Sequence, residues 1–381
     1  MIKRNLSAVR WYCINLLRWA GQWRKRGPLR DKVVCFDVEH DVWHRYLHIL
    51  ILFFHFRGYT VYLKHHFRFI GSWAPSDLFR RSGIFRLYLG HGPEHRAAWL
   101  FTDRQVGRPH VLLDADYHHV PGEKENGVRL PMPMVDSQYI EGDGYHGSVV
   151  EVTTPRERSV FFFGNMDRAA YDRSENPEVF GCFSRTHLLD TLRNELGDRV
   201  HEPTGPGDMK TPTGKYIVLL GRHHRYIAPR DLLKTLSQYE FFLAPSGVVM
   251  PLCHNIVEAM CAGCIPILQH PHLLSPALQH GVNCLAFRDE RELLDLMRSL
   301  PDMPEDVLLT MRRNVLDHYR QYLTPEAVIT MLEREGSGLE RLRINGELAS
   351  TRILRRRLDA MGISGPLPLP RTGTHNPSDH A

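Results

Sequence analysis

Apolar residues recur at alternating spacings of three and four through residues 6–25, with Val9, Tyr12, Leu16, Trp19 and Trp23 on one face and Asn15, Arg18 and Gln22 opposite. This periodicity predicts an amphipathic helix. Its stripe suits either of two surfaces: the body of the protein, or a membrane interface to which its tryptophans and arginines are also matched. After the Gly27-Pro28 turn the period shortens. Lys32-Val-Val-Cys-Phe36 predicts a buried strand, residues 42–57 a helix ended by Gly58, and residues 59–63 a second strand. The apolar run at 47–56 contains His48 and His55. It is about half the length of a membrane-spanning helix and reads as a buried one. Further strands are predicted at 85–89, before Gly90-His91-Gly92, and at 110–113, before Asp114.

Residues 121–158 are broken by Pro121, Gly122, Pro131, Pro133, Gly142, Gly144, Gly147 and Pro155, the composition of a connection between domains. Alternation then resumes: strand 159–163, helix 184–196, strand 216–220, helix 227–236, strand 241–244, helix 255–261 and strand 265–268. A helical stretch from 291 to about 361 follows. Its last segment carries Arg352, Arg355, Arg356 and Arg357, which read as a solvated basic face or, more sharply, as a contact for anionic lipid. The Pro-rich end from Gly362 is expected to be disordered.

The implied fold class is α/β, with two Rossmann-like doubly wound lobes enclosing a central cleft. The expected division is an amphipathic helix at 1–28, a first lobe at 29–140, a linker at 141–158, a second lobe at 159–335, a basic helix at 336–361 and a tail at 362–381.

Composition narrows the setting. A chain of 381 residues with 43% hydrophobic and 24% charged residues can build two cores. The net charge of +5 arises from interleaved acids and bases, so a nucleic-acid partner is not indicated. The 7 cysteines mostly lie in apolar runs, as reduced thiols in a cytoplasm would. The start of the chain has no signal-peptide pattern, which gives an expected location in the cytoplasm, with peripheral contact at the inner face of the membrane as an extension of that reading.

The chemistry concentrates in Tyr239-Glu-Phe-Phe-Leu-Ala-Pro-Ser-Gly247 and Pro251-Leu-Cys-His-Asn-Ile-Val-Glu-Ala-Met-Cys-Ala-Gly-Cys-Ile-Pro-Ile-Leu268. A buried strand ends in a turn at Ser246 and Gly247, and a helix begins near His254 or Asn255. Backbone N–H groups and a helix N-terminus there suit a diphosphate or a sugar hydroxyl. Glu258, one turn into the helix, can accept hydrogen bonds from vicinal hydroxyls, provided its carboxyl opens on the gap between the lobes. Asn165 and Arg168 after one strand, and Arg222 after another, are candidate cleft residues, the two arginines being available to a phosphate or to a surface ion pair. Candidates for a general base are His40 and Asp41 after the first strand, with Asp116 and His118 as rivals.

Asn255, Glu258, Ala259, Met260, Gly263 and Pro266 reproduce the Asn-x-x-Glu-Ala-Met-x-x-Gly-x-x-Pro pattern of GT-B glycosyltransferases. The surrounding Leu243-Ala-Pro-Ser-Gly247, Ala262-Gly-Cys-Ile-Pro-Ile267 and His280-Gly-Val-Asn-Cys-Leu-Ala-Phe287 extend the resemblance over residues 237–298, in a form most similar to exostosin-type enzymes. The resemblance implies a nucleotide-sugar donor whose ribose is held by Glu258, and a saccharide or lipid-linked saccharide acceptor of surface-glycan synthesis. Retaining members related to glycogen synthases often place a second glutamate eight positions earlier, where this chain has Met250. A thioether cannot stabilise charge at an anomeric carbon, so the expectation leans to inversion, with cations and helix N-termini rather than a metal holding the leaving group. A nucleotide-sugar epimerase and a non-catalytic glycan-binding protein are the alternatives.

Other signals carry less. His40-Asp-Val-Trp-His44 lacks the glutamate and third ligand of a zinc hydrolase, Cys261-Ala-Gly-Cys264 has no second pair, and no phosphate-loop or dinucleotide fingerprint occurs. No cofactor and no metal are expected.

Overall fold

The computed structural model describes residues 2–22, 27–40, 44–72, 82–90, 92–124, 126–141, 151–204, 208, 210–221 and 227–368. Asp41, Trp23, Arg222, the 142–150 part of the connection and the tail from 369 lie outside these residues.

Two wholly parallel sheets, interleaved with helices, form the two lobes. The first contains β1 (Val33–Asp37), β2 (Thr60–Lys64), β3 (Phe85–Tyr88), β4 (Trp99–Thr102), β5 (Val111–Asp114) and β6 (Val128–Arg129). The second contains β7 (Glu157–Gly164), β8 (Val200–His201), β9 (Ile217–Gly221), β10 (Tyr239–Leu243), β11 (Ile265–Leu268) and β12 (Leu285–Ala286). A late strand, β13 (Arg341–Arg343), joins the first sheet, giving orders β3-β2-β1-β4-β5-β13-β6 and β12-β11-β10-β7-β9-β8. Strands β1, β9 and β10 are buried along their length, which is why they read as continuous apolar runs rather than alternating ones. Glu240 interrupts β10 at no exposed position; it is sealed against the equally buried Arg312, which also donates to the carbonyl of Thr154 at 2.8 Å and so clamps the end of the interlobe connection.

Strand order fixes where ligands can enter. In the first sheet the chain departs from β1 to β2 on one side and to β4 on the other, so the loops after β1 and β4 diverge at a switch point. In the second sheet the same holds for β7 and β10. Crevices at the carboxyl ends of strands lie at such points.

The N-terminal helix Ile2–Gly21 turns Tyr12, Leu16 and Trp19 of its stripe inward but leaves Val9 exposed, and Asn15, expected on the opposite face, is buried. Tyr12 Oη meets His65 Nε2 at 2.7 Å, and buried Asn15 donates to the Ile70 carbonyl at 2.9 Å. Tyr12, Leu16 and Trp19 pack against the main core, while Val9, Cys13 and Leu17 are exposed. No helix among the described residues is long and apolar enough to cross a membrane.

The segment expected to be helical from 291 to 361 is interrupted by a strand. Helix Pro325–Glu335 packs on helix His44–Phe56 of the first lobe, with Glu333 bound to Lys32 at 2.8 Å and to Tyr59 Oη at 2.8 Å. Arg341–Arg343 is then a strand whose register, Leu342 against Leu113 and Val128, places it between β5 and β6. On the last helix, Leu348–Ala360, Arg355 pairs with Glu175 and Glu178 of the second lobe and Arg357 with Asp116 and Glu123 of the first, while Arg352 and Arg356 are exposed as a solvated face requires. All 7 cysteines are free thiols.

Candidate functional site

At the second switch point, β10 runs into the turn at Ala244–Gly247. Buried Asn176 donates to the Gly247 carbonyl at 2.6 Å. A Cβ on Gly247 would stand 2.7 Å from the Met250 carbonyl oxygen, so the turn can double back only around a glycine. Ser246 is buried beside it. The chain then enters helix His254–Cys261 with Cys253 as its N-cap.

In the first turn of this helix Asn255 Oδ1 has no hydrogen-bond partner. His254 Nδ1 and Glu258 Oε1, one turn apart, form an ion pair at 3.2 Å. Burial disfavours charge on His254, yet the Glu258 carboxylate and the Cys253 thiol outweigh it, and its pKa is raised. Burial likewise pushes Cys253 up, but the neighbouring His254 and Arg185 reverse that and lower it. Buried Arg185 lies beneath this helix start, donating to the Asn165 carbonyl at 3.0 Å and reaching Cys253 Sγ at 3.9 Å, with its guanidinium 4.4 Å from the Tyr171 ring centre. The expectation of an accessible carboxyl is not met in this arrangement: the Glu258 side chain is 2% exposed, and the more exposed His254 ring is its polar neighbour. From the first lobe, Tyr139 feels the Glu258 charge and Arg45 that of His254.

At the first switch point, the loop after β1 meets Asp103 after β4. Asp103 accepts from the Glu39 and His40 backbone N–H groups, the latter at 2.8 Å, and from His40 Nδ1 at 2.9 Å. The carboxylate is 2% exposed and the imidazole 58%. In the neutral ring, donation of Nδ1–H to the carboxylate leaves the lone pair on Nε2. Alongside, buried Asp37 binds His66 Nε2 at 2.7 Å, Lys64 at 2.8 Å and Arg104 at 2.7 Å. Burial would raise its pKa, but these hydrogen bonds dominate and hold it well below the usual carboxylate range.

The other candidates divide. Arg168 is 63% exposed and bound to Asp190 at 2.7 Å, the surface ion pair that was its alternative reading. Asn165 closes a local turn, its Oδ1 accepting from the Asp167 N–H at 3.0 Å. Asp116 is taken by Arg357. His118 is buried against Phe180, its pKa pushed down to about 3 by burial first and by Arg129 and Arg357 second. Asp41 and Arg222 lie outside the described residues. Cys261 and Cys264 are buried thiols raised to about 12. Sequence reasoning missed Asp103, Arg185 and Asn176. The signal available for Asp103 was its place after an apolar run, Trp99-Leu-Phe-Thr102, which was not read as a strand.

No protein-family model matches the chain, and no curated protein matches it by sequence. Among solved structures, Alr3699/HepE of Anabaena in complex with UDP is similar at 13% identity over 81% of this chain and 100% of that chain, with a TM-score of 0.42. A glycosyltransferase from Rickettsia africae is similar at 7% identity over 81% and 99% of the two chains, with a TM-score of 0.47. The spinosyn rhamnosyltransferase SpnG complexed with thymidine diphosphate is similar at 10% identity over 79% and 100%, with a TM-score of 0.39.

Proposed function

We propose that this chain is a GT-B glycosyltransferase that binds a nucleotide sugar at the start of helix His254–Cys261 and transfers the sugar to a saccharide or lipid-linked saccharide hydroxyl. The observation that carries the reading is a buried carboxylate, Glu258, one turn from a helix N-terminus, whose Oε1 is held by the His254 ring, with the Asn255 Oδ1 near it lacking a hydrogen-bond partner. A buried acceptor without a partner is costly, and donor hydroxyls would satisfy Asn255 Oδ1 and compete for the carboxylate. Because the His254 ring stands beside it, a ribose reaches Oε1 only after that ring turns aside. Asn255 offers a further acceptor, and the Ser246-Gly247 turn offers backbone. His254, with its raised pKa, and buried Arg185 supply positive charge for a leaving diphosphate, so cations of the chain itself take the part that a metal plays elsewhere.

On the acceptor side the base is His40, oriented by Asp103. It takes the acceptor proton at Nε2 as the hydroxyl oxygen attacks the anomeric carbon and the diphosphate departs with the bonding pair. A single displacement inverts that centre. This fits a chain with Met250 where retaining enzymes often carry a carboxylate. Surface-glycan synthesis in the cytoplasm at the inner face of the membrane is the setting proposed, with the exposed Val9, Cys13 and Leu17 edge of the first helix available to an anionic bilayer.

A thermal-shift screen of UDP, GDP, CMP and dTDP sugars tests the reading: one class should raise the melting temperature of the wild type, and Glu258→Gln should remove the shift while preserving the circular-dichroism spectrum. An unaltered shift in that variant rejects Glu258 as the donor contact. Conversion of a donor incubated alone to an isomeric nucleotide sugar would instead identify an epimerase.

A further inference from the structure

Glu347 stands in a backbone conformation that belongs to glycine. Its φ of 48° and ψ of −107° match the first central position of a type II′ turn, and it is the non-glycine residue with positive φ among the described residues. Gly346 immediately precedes it, so glycine was available to this turn and a glutamate occupies the strained position instead.

The turn is pressed against the proposed donor site. Asn345 Nδ2 lies 3.1 Å from Met250 Sδ, while its Oδ1 accepts from the Glu347 N–H at 2.8 Å. One turn later, Thr351 Oγ1 reaches the Val249 carbonyl at 3.4 Å. The turn that carries Glu347 therefore packs on Met250 and Val249 through Asn345 and Thr351, and the Glu347 side chain itself is 37% exposed. From the facing lobe Arg45 reaches it at 3.0 Å and Tyr46 Oη at 3.5 Å. Arg45 is in turn within electrostatic range of both Cys253 and His254.

Resting on the donor reading above, we propose that Glu347, held by Arg45, is the carboxylate that recognises the hydroxyls of the transferred sugar, supplied by the C-terminal crossing in place of the residue absent at Met250. An ionised carboxylate with a guanidinium beside it presents acceptor and donor atoms together, a pairing that vicinal hydroxyls satisfy. A half-exposed ion pair contributes little to folding, so a purely structural tie does not account for the strained backbone.

The test compares full-length wild type with Glu347→Gly and Glu347→Gln by thermal shift. UDP-glucose, GDP-mannose, dTDP-glucose and CMP-sialate are each measured beside the parent nucleotide. Without ligand, Glu347→Gly should melt at the same temperature as wild type or higher, because glycine relieves the turn. With ligand, both variants should keep the shift given by the nucleotide but lose the increment added by the sugar, an affinity loss of about tenfold or more. A lower melting temperature for the unliganded glycine variant would assign Glu347 to structure and overturn the proposal. So would a retained sugar increment, or a wild type in which the sugar adds nothing to the nucleotide. If no nucleotide shifts the wild type, the donor reading itself fails and this inference goes with it.

Discussion

His254 Nδ1 and Glu258 Oε1 form an ion pair at 3.2 Å on successive turns of one helix, and the carboxylate raises the imidazole pKa. The pair holds positive charge at a helix N-terminus over a buried carboxylate.

This arrangement gives a pH dependence. A raised folded-state pKa means that the His254–Glu258 contribution to stability is complete below the unfolded value of 6.5 and is lost as the pH rises through the folded value. Nucleotide-diphosphate binding should weaken over the same interval, because the imidazolium loses its proton. His254→Asn should flatten that part of the binding profile, measured by calorimetry across the pH range. A profile of unchanged shape would show that His254 does not face the phosphates.

Replacing the proposed base separates chemistry from binding. His40→Ala should lower kcat by about a hundredfold or more, the usual range for a lost general base, with little change in the nucleotide-induced thermal shift. Asp103→Asn should lower kcat as well, because the amide also offers donors and no longer fixes which ring nitrogen bears the proton. Steady-state kinetics on the preferred donor decides it, and full activity in His40→Ala would move the base elsewhere.

Asp37 is predicted to matter for folding. Buried and bound by His66, Lys64, Arg104 and Arg108, it gathers four basic side chains at the first switch point. Asp37→Asn should cost about 3 kcal/mol in urea unfolding, since the partners remain half-buried without their counter-charge. In the wild type the folded-state pKa lies below the unfolded value, so the contribution is whole above 3.8 and is lost as the pH falls from there toward the folded value. The difference between wild type and variant should therefore narrow in acid.

Gly71 tests the docking of the first helix. A Cβ there would stand 2.7 Å from the Ala8 carbonyl oxygen, a backbone atom that cannot move without the helix. Gly71→Ala should destabilise the protein by about 2 kcal/mol and speed proteolysis near residues 22–30. Co-sedimentation with anionic liposomes should not depend on Tyr12, Leu16 and Trp19, whose surfaces are already buried against the core. Loss of vesicle binding on replacing those three, with the fold intact, would reverse that assignment.

Much of the fold was legible because parallel strands buried on both faces must be written as short apolar runs, and their crossover helices as periodic ones. Val33–Asp37, Thr60–Lys64, Ile217–Gly221 and Ile265–Leu268 were visible for this reason. Trp99–Thr102 is an apolar run of only four residues, and Arg341–Arg343 is hidden by its composition, since two of its three residues are arginines, one ion-paired to Asp114 and the other buried. No local pattern announces that a strand near the end of the chain will complete a sheet begun some three hundred residues earlier.

The sequence by itself determined the two parallel α/β lobes, the strand-turn-helix at Ser246 to Glu258 and the inward or outward choice open to the first helix, because each depends on the order of apolar and polar side chains within a few turns of chain. Tertiary structure alone decided that Asp103 would orient His40, that Arg168 would be spent on Asp190, that Glu258 would be covered rather than open, and that Glu347 would meet Arg45 from the other lobe while its neighbour Asn345 reached Met250. Those outcomes depend on which strand ends meet at a switch point and on where the chain recrosses between lobes, and such distances through space leave no trace in the spacing of residues along the chain.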